Sequence, residues 1–294
     1  MVSHAAPPDW RRWVPPEVAA AWKPFALTVG RGAAIEAVTL GQGPPVILLP
    51  PVPGWKEALW APLAGLAARG YRATSFDLRA DQGGRGWEAL LDDVDAVAGR
   101  VSSGRVALLG HSLGGMLALQ WAARRPERVA ALVLSSTYAR IHLHPSIWWT
   151  RVVVQSAVLA ANRLLPERVL LALARGWARR GVWVYDTHCG DDLLRLVRAA
   201  ARATPLPLVA ARVRLARLFD ARIHVGAVRC PTLVLSGELE SRAARESAEE
   251  LAAAISGARR RTIPEAGHLV PLSRPREYTS AVADWLDGLE PWEA

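Results

Sequence analysis

Between Val106 and Arg124 the chain reads as strand, sharp turn and helix, and the turn is Gly110-His111-Ser112-Leu113-Gly114-Gly115. The apolar run Val106, Ala107, Leu108, Leu109 has the length of a buried strand, while Met116, Leu117, Leu119, Gln120, Trp121 and Ala122 carry helical spacing. Glycines flank the serine because so tight a reversal brings backbone against backbone, where a Cβ on either side would collide. The serine is thereby held at the strand end with its hydroxyl exposed. Leu113 opens the helix, so its N–H has no carbonyl one turn behind it and points to where an oxyanion could sit. G-x-S-x-G also occurs as a glycine-rich turn without chemistry. Its setting between a buried strand and a helix is what marks it as a nucleophile elbow.

Around that stretch strands and helices alternate. Leu27–Val29 and Ile35–Leu40 read as a hairpin across Gly30-Arg31-Gly32, followed by strands at Val46–Leu49 and Ala73–Phe76, with a helix from Trp60 to Arg69 between them. A helix over Glu88–Val101 precedes the elbow strand, and Val129–Leu134 is a sixth strand. The pattern from about Ala139 to Arg229 is then helical only, with helices expected over 147–165, 166–179, 191–204 and 206–221. Alternation resumes with a strand at Thr232–Leu235, a helix at Arg242–Ile255, a strand at Arg261–Ile263 and a helix at Pro275–Leu289. This predicts an α/β fold: a mostly parallel eight-stranded sheet covered by helices on both faces, with an α-helical insertion. The expected organisation is an irregular Pro- and Trp-rich arm over 1–22, a core domain over 23–138 and 230–294, and a helical cap over 139–229.

Composition narrows the function. At 294 residues, 51% of them hydrophobic and 13 of them Trp, the chain has enough apolar mass for a large core, and disorder is not expected. Residues 139–229 hold 15 Arg against 5 acidic residues, a net of +10, so with a whole-chain charge of +9 the remainder is close to neutral. No nucleic-acid-binding module accompanies this charge, and the arginines read as solvated helix faces. Cys189 and Cys230 have neither paired nor C-x-x-C spacing, which excludes a disulfide framework and a thiolate metal site. His142, His144, His188 and Cys189 match no zinc frame. No phosphate loop or dinucleotide fingerprint follows a strand, so no cofactor and no metal is expected. With no basic n-region before an apolar run and no apolar stretch of membrane-spanning length, a soluble cytoplasmic protein is expected.

The order of parts over roughly residues 24–290 resembles the α/β-hydrolase fold. The resemblance is carried by Gly110–Gly115, by Pro231-Thr232-Leu233-Val234-Leu235-Ser236-Gly237-Glu238-Leu239-Glu240 and by Pro264-Glu265-Ala266-Gly267-His268, with lesser matches at Asp77-Leu78-Arg79 and Pro126-Glu127-Arg128-Val129. It implies that Ser112 is the nucleophile and His268 the base. The family's acid, almost always Asp, falls three residues after the glycine of the seventh strand, which here is Glu240, with Glu238 as the nearby alternative. Relatives usually carry His-Gly after the third strand, whereas this chain has Pro50-Pro51-Val52-Pro53-Gly54-Trp55. Prolines have no N–H, so within 50–53 only Val52 can be the second oxyanion donor beside Leu113.

A serine hydroxyl is a weak nucleophile unless a base takes its proton and a third group holds that base in the right tautomer. The expected function is therefore a serine hydrolase that cleaves carboxylic esters through an acyl-enzyme. The same triad acting on C–C, thioester or amide bonds is the alternative, as is a catalytically silent binding or regulatory protein that keeps the fold. Trp148 and Trp149, on the apolar first cap helix, together with Trp55 and His111, are expected to contact a small substrate with an apolar acyl group. The basic cap adds an expected weak attraction to anionic surfaces. Neither a nucleic-acid partner nor an integral membrane span is expected, and the sequence leaves the oligomeric state open.

Overall fold

A computed structural model of the chain describes residues 14–79, 86–141, 161, 164–178 and 191–292. Eight strands, β1 (Lys23–Val29), β2 (Ala33–Leu40), β3 (Pro45–Leu49), β4 (Arg72–Phe76), β5 (Val106–His111), β6 (Val129–Ser135), β7 (Thr232–Gly237) and β8 (Arg259–Ile263), form one sheet in the order β1-β2-β4-β3-β5-β6-β7-β8. β1 and β2 form the antiparallel hairpin, and β2 runs antiparallel to β4. Every other pairing is parallel. The mostly parallel eight-stranded sheet read from the alternation of elements is the one observed.

Period-two alternation inside the apolar runs splits each central strand between two cores. Ile47, Leu49, Val106 and Leu108 face one side, against Leu90, Val94 and Val97 of the helix Trp87–Val101 and Met116, Leu117 and Leu119 of the helix Leu113–Arg124. Val46, Leu48, Ala107 and Leu109 face the other, against Leu63 and Leu66 of the helix Trp60–Ala68 and Ala281, Val282 and Leu286 of the helix Pro275–Asp287. Coverage on both faces explains why these strands are apolar at successive positions instead of alternating with polar residues. It also leaves the carboxyl ends of the parallel strands as the place where irregular loops gather.

Between β6 and β7 the described elements are helical: Glu167–Ala178, Asp191–Ala203 and Leu206–Leu218, followed by short 3-10 turns at Ala221–Ile223 and Val225–Ala227. The helix expected to reach residue 221 stops at Leu218, because Phe219 turns to an extended conformation and buries its ring in the core beside Trp87. Most of the helix expected over 147–165 lies outside the described residues. The arm expected to be irregular contains a helix, Pro16–Ala21. Pro16 takes the first helical position, where a missing N–H costs nothing, and Glu17 lies in the positive first turn. Among the described residues no helix is long and apolar enough to cross a membrane.

One buried ion pair ties the loop after β4 to the helix that leads to β5. Arg79 donates through Nε to both carboxylate oxygens of Asp93 at 2.8 Å and adds an Nη2 bond, and both side chains are buried. Burial raises the Asp93 carboxyl above its ordinary value, and Arg79 opposes that rise. Removing one partner leaves the other charge buried and uncompensated. Arg79→Met alone or Asp93→Leu alone is therefore expected to lower stability by about 3–5 kcal/mol, and the two together to recover most of it. Chemical denaturation of the two single variants and the double variant checks this cycle.

Candidate active site

β5 ends in the elbow because the chain turns there with almost no room. Ser112 has φ 55° and ψ −115°, a region that costs a non-glycine residue about 1–3 kcal/mol and is held only when its surroundings enforce it. They do so from three sides. Ser112 N donates to Ser135 O at 2.9 Å, and Thr137 Oγ1 donates to Ser112 O at 2.7 Å. A Cβ on residue 110 would lie 2.2 Å from the Gly114 carbonyl oxygen, and one on residue 115 would lie 2.7 Å from Thr137 Cβ. The glycines expected from the tight reversal are thus required by identifiable atoms.

The loops after β7 and β8 meet next to this serine. Gly237 closes them together: a Cβ there would lie 2.2 Å from Ala266 O and 2.5 Å from Gly267 O. Leu239 N donates to Ala266 O at 2.8 Å and Glu238 N to Ile263 O at 3.0 Å, so the two loops are zipped backbone to backbone. The result is a chain of three side chains. His268 Nε2 lies 3.1 Å from Ser112 Oγ, and His268 Nδ1 lies 2.9 Å from Glu240 Oε1. Glu240 is buried, and among the described residues its side chain pairs with His268 alone. Glu238 points elsewhere: its Oε2 accepts the Glu265 N–H at 3.0 Å and its side chain is exposed.

On the far side of the serine is the loop after β3. A Cβ on residue 114 would lie 2.0 Å from Leu49 O and 2.8 Å from Pro50 O, so this loop rests directly on the first turn of the elbow helix. Leu113, the first expected oxyanion donor, immediately precedes Gly114, and Val52, the second, lies two residues beyond Pro50 in this loop. Gly54 N donates to Pro51 O at 2.7 Å, closing a turn over 51–54. Trp55 is 9% exposed, and its Nε1 donates to Thr204 Oγ1 at 2.9 Å while its ring packs on Leu196 and Ala200. Its indole therefore joins the loop to the helix Asp191–Ala203. Trp148, Trp149 and the four residues weighed as a zinc site lie outside the described residues.

His111 is buried under His268, with ring centroids 5.5 Å apart, and its Nδ1 lies 3.1 Å from Ser135 Oγ. Tyr138 flanks His268 from another direction at 6.2 Å. The sequence reading missed Ser135, Thr137, Tyr138 and Arg212. The first three follow or end β6 and carry no motif. Arg212, by contrast, left a signal: it shares one helix face with Val209 and Ala216, all three buried, so a charge stands on an apolar stripe. The reading of the inserted arginines as solvated is wrong at this position, where the guanidinium is enclosed.

With five loops from the carboxyl ends of β3, β5, β6, β7 and β8 converging on one serine, the fold and site define an α/β hydrolase. The model of the Alpha/beta hydrolase family matches residues 46–281, and the chain belongs to that family. Proteins named as hydrolases and esterases are among its relatives. A pimeloyl-(acyl-carrier protein) methyl ester esterase of Chromobacterium violaceum is 27% identical over 258 residues, covering 85% of this chain and 96% of that protein. A solved hydrolase from Pseudomonas aeruginosa superposes with a TM-score of 0.72 at 27% identity, covering 90% of this chain and 98% of the other. A thermophilic esterase from Thermogutta terrifontis gives 0.70 at 26% identity with the same coverage. The chain is an esterase-like hydrolase.

Burial, then the neighbouring His268, holds the His111 imidazole well below its ordinary value. The unfolded chain takes up a proton at this residue below about pH 6.5 and the folded one does not, so this histidine lowers stability progressively as pH falls through that value. The slope approaches about 1.4 kcal/mol per pH unit. His111→Gln is expected to flatten the loss of stability between pH 7 and 5. Denaturation midpoints measured at pH 5, 6 and 7 for both proteins check it.

Proposed function

We propose that this chain is a serine hydrolase that cleaves carboxylic esters with an apolar acyl group through an acyl-enzyme intermediate. The observation that carries the reading is the continuous Ser112–His268–Glu240 chain, with 3.1 Å and 2.9 Å links. Ser112 Oγ attacks the ester carbonyl as His268 Nε2 takes its proton. Glu240 holds Nδ1–H and offsets the positive charge that develops on the imidazole. The amides of Leu113 and Val52 receive the oxyanion. His268 then passes the proton to the departing alkoxide, leaving Ser112 acylated. Water enters, gives a proton to His268 and attacks the acyl carbon, and the carboxylic acid leaves as Ser112 regains its hydrogen. His111, buried behind His268, backs the base and is not a surface for substrate.

The helical segment over 139–229 is read as a cap on a core of 23–138 and 230–294, with 1–22 as an N-terminal arm. An insertion that leaves the sheet after β6 starts at the same edge as the serine, which favours a roof over the site. The packing of Leu196 and Ala200 on Trp55 supports apolar surroundings near the loop after β3. An ester as the substrate is in keeping with a relative named for a methyl ester. Acyl selectivity follows from apolar burial, since each buried methylene contributes about 0.8 kcal/mol. The net positive insertion adds a salt-sensitive attraction for anionic substrates or surfaces.

A fluorophosphonate probe is expected to add one phosphonyl group at Ser112, seen by intact mass, and none in Ser112→Ala. Glu240→Gln is expected to lower kcat by about 10²- to 10⁴-fold with the fold retained, because a neutral partner no longer fixes the productive tautomer. kcat/KM for p-nitrophenyl esters is expected to rise from C2 toward medium chains. No adduct under conditions that label a control hydrolase favours a silent binding protein. A steady fall in kcat/KM from C2 upward removes the apolar acyl preference.

A further inference from the structure

Arg212 sits on the helix Leu206–Leu218 and is 1% exposed. Its Nη1 donates to Val52 O at 3.0 Å and to Pro53 O at 2.6 Å. Its Nη2 donates to Leu78 O at 2.8 Å and to Arg79 O at 3.2 Å. One cation from the inserted helices therefore holds four backbone carbonyls in two loops, those after β3 and β4. Those loops are also joined directly, Leu78 N donating to Gly54 O at 2.9 Å. Gly54 has φ 74°, and a Cβ there would lie 2.3 Å from Arg212 Nη1, so the turn is built around the guanidinium.

This arrangement is costly for a residue that only fills space. Burial pulls the Arg212 pKa down to about 10, with Asp77 opposing, and the guanidinium meets carbonyl dipoles in place of a carboxylate. An apolar side chain of similar bulk would pack without that penalty. What the cation adds is orientation. Pro50, Pro51 and Pro53 have no N–H and the Gly54 N–H is spent on Pro51, so Val52 holds the last donor of residues 50–54. Within residues 50–54 the backbone therefore offers mainly carbonyls to a partner, and a cation donor suits them.

We propose that Arg212 is a positioning residue for the oxyanion site: by fixing the Val52 and Pro53 carbonyls it sets the Val52 amide, and it makes that site depend on the inserted helix. The proposal rests on the ester-hydrolase reading, with Ser112 as nucleophile and Val52 as donor. It follows that loss of Arg212 weakens binding of the tetrahedral transition state far more than binding of the ester.

The test compares wild type, Arg212→Met, Arg212→Lys and Gly54→Ala, with circular dichroism to establish folding. The readouts are kcat and KM for p-nitrophenyl butyrate and the inhibition constant of butylboronic acid, whose tetrahedral adduct on Ser112 places an oxygen in the oxyanion site. In Arg212→Met, kcat is expected to fall about 10²- to 10³-fold, the scale of one lost oxyanion donor. KM is expected to stay within about threefold and boronate affinity to fall in parallel with kcat. Arg212→Lys, a point charge unable to span both loops, is expected to restore only part of both quantities. Gly54→Ala, which displaces the guanidinium without removing it, is expected to follow Arg212→Met. A folded Arg212→Met with near wild-type kcat, a rise in KM alone, or a fall in kcat without a matching loss of boronate affinity overturns the proposal. If Arg212→Met does not fold, Gly54→Ala decides by the same criteria, and failure of both to fold assigns Arg212 to packing alone. Wild type that neither binds the boronate nor takes the fluorophosphonate at Ser112 overturns the ester-hydrolase reading itself, whereas failure of the Arg212 proposal alone leaves wild type active and labelled.

Discussion

Backbone rests on backbone at the elbow, and the site is arranged from that contact outward. The loop after β3 lies so close to the helix Leu113–Arg124 that a single methyl group at residue 114 would sit 2.0 Å from the Leu49 carbonyl oxygen. Separation of that order leaves no adjustment for either segment, because close-packed interiors transmit displacement instead of absorbing it. Ser112 is kept in its positive-φ conformation by the same crowding, with Ser135 and Thr137 closing the remaining directions. The local strain is balanced by a sheet whose central strands are buried on both faces.

A second layer of control is electrostatic. Asp77 Oδ1 accepts the Lys56 N–H at 2.7 Å and Oδ2 accepts Nζ at 2.8 Å, while Glu57 stands 3.2 Å from the same ammonium. Burial lowers the Lys56 pKa, but Asp77 and Glu57 more than offset it, so the net shift is upward. Together with Arg79–Asp93 and Arg212, these charges knit the loops after β3 and β4 into one body on the side of the site opposite His268. Buried charges that are well paired add orientation more than stability. In a low dielectric each hydrogen bond among them is also stiffer than it would be in water.

Much of this was legible in the chain because it depends on local steric rules. Glycines around Ser112, strands of four or five apolar residues, and a helix beginning at the serine follow from neighbouring residues alone, and the eight strands lie where alternation put them. The ends were less accurate: β1 extends back to Lys23, and β8 starts at Arg259 although its arginines are exposed. Edge strands are held by pairing with a neighbour more than by apolar content, and pairing is a property of the partner.

Which carboxylate meets His268 could not be decided by composition, since Glu238 and Glu240 differ by two residues and share the same chemistry. The docking of the loop after β8 against Gly237 decides it, turning Glu240 inward and leaving Glu238 to accept the Glu265 amide. Arg212 is the clearer case. Its sequence neighbours gave a basic helix, and only long-range packing shows four carbonyls 133 to 160 residues away converging on it. The sequence by itself determined the elbow, the strand and helix segments and the residue types available for chemistry, because these rest on contacts between near neighbours. The tertiary structure decided which loops those residues share and which charge lies buried among them, because the required atoms are brought together only when the sheet and the inserted helices pack.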